Sequence, residues 1–184
     1  MFMRVNADVH AITESTLRSL NRIVASDAGN AERAIVAAAS LAESLVDQFI
    51  ALLVAESDIG KIPLGRRLLS KSRDSFNHSW DERNGWLKGG FGVAIAGTNE
   101  ARRLKTVIEV RNAIIHGDGQ LTERQRRNVL GAIDLRREML DVLASDLQGR
   151  RLILSHTSGH KAMYVVAEYA LALDHAVAAA RAGT

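Results

Sequence analysis

Along most of the chain, apolar and polar positions alternate with the three-to-four-residue period of amphipathic helices. The first such run extends from Asn6 to about Val24 and stops before "SDAGN". Asn30 is placed to cap a long second helix reaching about Glu56, with Ile35, Ala38, Ala39, Leu45, Phe49, Leu52 and Leu53 on its apolar face. "SDIGKIPLG" holds the only proline and two glycines, so it reads as a loop. A charged third helix, about Arg66 to Lys88, carries Trp80 and Trp86 and ends at the glycine cluster "GGFGVAIAGTN". A fourth helix begins at Thr98 or Asn99, runs to His116 and is followed by the turn "GDG". Thr122 and Gln125 have the spacing of a capping box at the start of a fifth helix, which the pattern carries to about Leu147. "RRLILSH" has the character of a short strand near 151–155, and an Ala-rich last helix covers about Gly159 to Arg181. The pattern predicts an all-α, up-and-down bundle of five to six helices, one domain over residues 1–184 with no internal repeat.

Composition narrows this picture. The apolar share is 47%, drawn mainly from Ala, Leu, Val and Ile, and aromatic residues make up 4%, a balance that favours helices. With no cysteine, a disulfide frame or cysteine-based zinc site is excluded. The N-terminal stretch "MFMRVNADVHAITE" lacks the apolar run of a signal peptide. "SLVDQFIALLVAES", interrupted by Asp47 and Gln48, is expected to be a core helix too short to span a bilayer. These features lead to the expectation of a cytoplasmic protein with no membrane partner. Charge is uneven: residues 61–128 hold 14 of the 24 Lys and Arg but 7 of the 21 Asp and Glu. Such an excess suits a polyanion such as RNA, and it equally suits solvated helix faces.

The sharpest chemical signal lies in "EVRNAIIHGDGQLTERQ", Glu109 to Gln125. On a wheel at about 100° per residue with Leu104 at zero, Arg111 falls at about 340°, inside an apolar stripe of Leu104, Val107, Ile108, Ile114 and Ile115. An unpaired arginine buried in a core is very costly, so this stripe is expected to face a cleft, a carboxylate or another chain. Asn112 and His116 lie one turn apart on the flank, at about 80° and 120°. Gly117 stands where a left-handed C-cap would fall, which puts His116 among helix-end carbonyls that suit a cation. An arginine fork, an amide and a titratable imidazole together can handle a phosphate. A salt-bridged arginine and a capping histidine fit the same spacing.

"RNAIIH" is an R-x4-H with Asn directly after the Arg, near a helix end in an all-α chain, and it resembles the signature of the HEPN superfamily. The continuation "HGDGQLT" is similar to the RiboL-PSP-type branch, and the likeness is best over residues 98–147. The resemblance implies a metal-independent endoribonuclease, a toxin or anti-phage effector, leaving 2′,3′-cyclic phosphate and 5′-hydroxyl ends. Arg111 and His116 would then be the catalytic pair and Asn112 their polar support, in a composite cleft of a homodimer without cofactor or metal. RNA and an antitoxin or regulatory protein would be the partners. A non-catalytic bundle that binds RNA, a nucleotide or a protein is the alternative. Some HEPN toxins carry a tyrosine two residues after the histidine as a target for nucleotide addition; Asp118 stands there instead.

Other features are weaker. Glu109 is placed to orient His116 through a water, or simply to face solvent. His156 and His160 have ligand-like spacing without an evident third donor, so no metal is expected. "GKIPLGRR" lacks the Lys-Ser/Thr of a P-loop, and "GGFGVAIAG" follows a helix where a dinucleotide fingerprint needs a strand. Trp80 and Trp86 fit either base stacking or core anchoring.

Overall fold

The computed structural model describes residues 9–26, 29–72 and 79–182. Among them are eight α-helices and a single two-stranded sheet. The order is α1 (Ala11–Ser26), α2 (Ala31–Glu56), α3 (Pro63–Ser72), α4 (Trp80–Gly85), α5 (Asn99–Gly117), α6 (Glu123–Arg127), α7 (Val129–Leu143), β1 (Asp146–Gln148), β2 (Arg151–Ile153) and α8 (Ser158–Ala182). A 3₁₀ turn, Asp58–Lys61, precedes α3, and a π turn, Trp86–Gly90, follows α4.

Local chemistry explains most of the boundaries. Asn30 caps α2 by accepting from the Arg33 amide at 3.0 Å. Thr122 and Gln125 close the expected capping box: the Thr122 amide donates to Gln125 Oε1 at 2.9 Å and the Gln125 amide to Thr122 Oγ1 at 3.3 Å. The predicted fifth helix does not run through, however. Asn128 adopts an extended conformation, ends α6 and caps α7 by accepting from the Gly131 amide at 2.9 Å. Asparagine offers the backbone this alternative to helix, and the hydrophobic period on either side hid it. That helix also ends earlier than expected, at Leu143, because Ala144 turns left-handed and β1 follows.

Two other expectations need amendment. "SDIGKIPLG" is not wholly a loop, since Pro63 opens α3 from its first position, where proline costs no hydrogen bond. The expected helix from Arg66 to Lys88 is divided between α3 and α4, and its residues 73–78 lie outside the described residues, as does the predicted start of the first helix at Asn6. The strand expected near 151–155 is present as β2, paired antiparallel to β1 through the two-residue turn Gly149-Arg150, with Gly149 at φ 60°.

The core lies where α2, α5 and α8 meet, with α1 and α7 on its flanks. Phe49, Leu45, Leu104, Val107, Val166, Tyr169 and Leu173 are almost fully buried in it. At the start of α8, Gly159 lets two backbones approach closely: a Cβ there would stand 2.7 Å from Ala34 Cβ on α2. Polar anchors fix the flanks. Buried Asp174 on α8 accepts from the Thr13 hydroxyl at 2.6 Å and the His10 amide at 3.0 Å. Arg136 of α7 holds Asp146 of β1 at 2.6 and 3.1 Å.

Hydrogen bonds from Arg136 and from the Leu147 amide hold the Asp146 carboxyl down at about 2. A carboxylate whose pKa is depressed on folding stabilises the fold above its ordinary value and loses that contribution as pH falls through the depressed one. Acid unfolding should therefore steepen between about pH 4 and pH 2, and Arg136→Ala should flatten that part of the curve, as followed by circular dichroism.

α2 and α8 are long and apolar enough, by length and composition, to cross a membrane. This corrects the expectation that the α2 run is too short, because it belongs to a 26-residue helix. In the fold, the two helices pack on one another as the main core pair.

Candidate active site

Arg111, Asn112 and His116, all on α5, line one cleft of about 1010 Å³. α2, α4 and α8 contribute Glu43, Trp80, Arg83 and Tyr169 to its walls, and Thr122 and Arg124 stand at the end near His116. The stripe around Arg111 resolves as two of the three expected situations. Leu104, Ile108 and Arg111 face the cleft, and Arg111 also has a carboxylate partner within the same chain.

That partner is Glu43, whose Oε2 accepts from Arg111 Nη2 at 2.8 Å, with both side chains about one-fifth exposed (19% and 20%). Arg111 Nη1 donates to Asn112 Oδ1 at 3.0 Å, so Asn112 supports the arginine directly. Arg111 Nε is buried and unpartnered. His116 sits exposed at the cleft mouth with no hydrogen bond or ion pair among the described residues. The left-handed residue that ends α5 is Asp118 (φ 51°), one position beyond the expected Gly117. The amides of Asp118 and Gly119 both reach back to the Ala113 carbonyl, the latter at 3.1 Å. Aspartate is one of the few side chains that visit this conformation readily.

Glu109 also lines the cleft, but its partners are on α6. Its carboxylate accepts from Gln125 Nε2 at 2.6 Å and from Arg124 Nη2 at 2.8 and 3.1 Å. Gln125 donates as well to the Glu109 carbonyl at 2.9 Å, so the capping glutamine clamps α6 onto α5. Glu109 thus holds the helix after the turn in place and makes no bond to His116.

Sequence reasoning missed a second arginine. Arg83 on α4 is 5% exposed and grips Asp47 of α2 with both ends of its fork, at 2.8 and 3.0 Å. Burial works against its charge, but the hydrogen bonds and charge of Asp47, with Glu43 and Glu82 nearby, outweigh it and raise its pKa above the ordinary guanidinium value. Its guanidinium also lies 5.6 Å from the centre of the Trp80 ring. Glu43 and Asp47 are one turn apart on α2, so two carboxylates on one helix hold two arginines from two others. The available signal was that four-residue spacing of acids inside an otherwise apolar run.

Part of the cationic excess is paired within the chain: Arg102 pairs with Glu138, Arg103 with Glu168, Arg124 with Glu109 and Arg127 with Glu123. Lys105, on the cleft wall, keeps its charge without such a partner among the described residues. Trp80 is half-buried beside Tyr169, and Trp86 packs near Phe91, so both tryptophans anchor against the core. His156 lies in the turn before α8 and His160 in its first turn; among the described residues no three His, Asp or Glu gather as a metal site.

No family model, curated protein or solved structure matches the chain. Fold and site define an all-α protein with an arginine, an asparagine and a histidine lining one cleft.

Proposed function

We propose that the chain is a metal-independent endoribonuclease of the HEPN type, acting in the cytoplasm as a toxin or anti-phage effector. The observation that carries this reading is that Arg111, Asn112 and His116 line one cleft together with Lys105. An RNA phosphate seated there would place a non-bridging oxygen on Arg111, whose planar fork suits phosphate. The RNA's own 2′-hydroxyl attacks the adjacent phosphorus as the bond to the 5′-oxygen breaks. His116 takes the proton from the first or gives one to the second, and Arg111 offsets the charge growing on the phosphoryl oxygens. The products are a 2′,3′-cyclic phosphate and a 5′-hydroxyl. Arg111 need not leave Glu43 to do this, since its bonds to Glu43 and Asn112 use one proton of Nη2 and one of Nη1 and leave the second proton of each.

A homodimer is part of the reading. What supports it is an exposed apolar face on α7: Leu130, Ile133 and Leu140 recur at helical spacing, each more than half exposed, with Val129 beside them. Ile115, also exposed, adds to the apolar surface next to His116.

A second reading has its own observation. Arg111 is locked to a carboxylate of its own chain and His116 has no orienting partner, which favours a non-catalytic bundle that binds RNA, a nucleotide or a protein. Incubation of purified protein with labelled RNA in EDTA separates the two. Cleavage that persists and leaves cyclic phosphate ends is the expected result. Salt-sensitive binding with intact RNA would overturn the catalytic reading in favour of the second.

A further inference from the structure

Buried polar side-chain atoms nearly always have a partner. Among the described residues four lack one, and three of the four belong to residues lining the same cleft: Trp80 Nε1, Arg111 Nε and the Tyr169 hydroxyl. The fourth, Glu138 Oε2, belongs to a neighbouring groove. Tyr169 is 1% exposed, and its ring meets the Trp80 ring edge-on at 6.3 Å. Leaving such atoms unpaired on residues of one cleft costs stability that a ligand would return.

We propose that the part of the cleft where the Trp80 and Tyr169 rings meet is a subsite for the carbonyl edge of a nucleobase, read by Trp80 Nε1 and the Tyr169 hydroxyl. The proposal rests on RNA being the ligand of the cleft. Indole and guanidinium nitrogens only donate, so whatever satisfies them must accept. Burial pushes the Tyr169 phenol above the ordinary tyrosine range, only partly opposed by Arg83, which keeps it a protonated donor. Arg83, the cation beside these two donors, is balanced by Asp47. These two neutral donors match a neutral carbonyl oxygen, while the phosphate is held by Arg111 with His116 and Lys105. Uracil, cytosine and guanine carry such an oxygen. Where guanine carries its O6, adenine carries an amino group, which at that position would set donor against donor. Trp80's face is not open for stacking on the side that Arg83 covers, so recognition runs through its edge.

All three atoms are sealed from solvent, so a base reaches them through a side-chain movement of the wall. Trp80 is the member suited to move: it is half-buried and opens the six-residue α4, which runs into a π turn.

Calorimetric titration of the full chain with the 3′-monophosphates of uridine, cytidine, guanosine and adenosine tests this. The first three should bind at least about tenfold tighter than the fourth, the scale of one good hydrogen bond. Tyr169→Phe should lose about tenfold for the carbonyl bases and nothing for adenosine, while melting at the same temperature or higher because an orphaned hydroxyl is gone. Trp80→Phe supplies the same readout if Tyr169→Phe fails to fold. Equal binding of all four nucleotides, or parental selectivity in both folded variants, overturns the proposal. Base-selective binding without RNA cleavage would sink the nuclease reading and leave the subsite standing; cleavage without selectivity does the reverse.

Discussion

His116→Ala should cut RNA cleavage by ~10²–10⁴-fold, the usual worth of a positioned acid-base group, with no measurable loss of stability. The two halves of that expectation have separate grounds. His116 is exposed and holds no hydrogen bond or ion pair among the described residues, so truncating it removes nothing the fold uses. The lost rate comes only from the proton it no longer moves. Arg111→Lys is the matching variant on the other side of the pair. It keeps a cation opposite Glu43, and therefore the fold, but gives up the planar fork, so a loss of ~10²–10³-fold is expected. Single-turnover cleavage of a labelled RNA, with thermal melts of each variant, measures both. A folded His116→Ala that cuts at the parental rate ends the case for general acid-base catalysis here.

How much of this was legible beforehand depends on the range of the interactions. Local signals carried through: the Asn30 cap, the Thr122–Gln125 capping box and the extents of α2, α5 and α8 follow from residues within a few positions of one another. So did the clue at Arg111, because a wheel needs only one helix to show a charge set in an apolar stripe. What that charge meets was not legible. Glu43 is 68 positions away in sequence, and only the packing of α2 on α5 brings it within reach. Arg83 was hidden for a similar reason. In "WDERNGW" it sits among charges that suggest a solvated face, and its partner Asp47 looked like an interruption of an apolar run. The break at Asn128 was missed for the opposite reason. The apolar period continues across it, and a single side chain acting as a cap overrides the pattern.

The pairing of Arg83 with Asp47 leads to the largest expected effect on stability. α4 has six residues, too few to stand alone as a helix, and its one well-buried side chain is Arg83. Replacing Arg83 by methionine keeps most of the side-chain volume but leaves Asp47 facing the protein without its counter-charge. Breaking a buried pair from one side costs about 3–5 kcal/mol, and since Asp47 remains 29% exposed the lower end applies, about 3 kcal/mol. Removing both charges, as in Arg83→Met with Asp47→Leu, should recover most of that loss, because an apolar pair replaces an ion pair at little net cost. Function need not follow stability. Arg83 also lies against the Trp80 ring and helps neutralise the α2 carboxylates beside Arg111, so the double variant should melt near the parent yet cleave RNA more slowly. Denaturant unfolding gives the first quantity and cleavage the second. If the double variant is as unstable as Arg83→Met alone, the pair does not tether this wall by its charge, and the packing of the guanidinium on Trp80 must carry α4 instead.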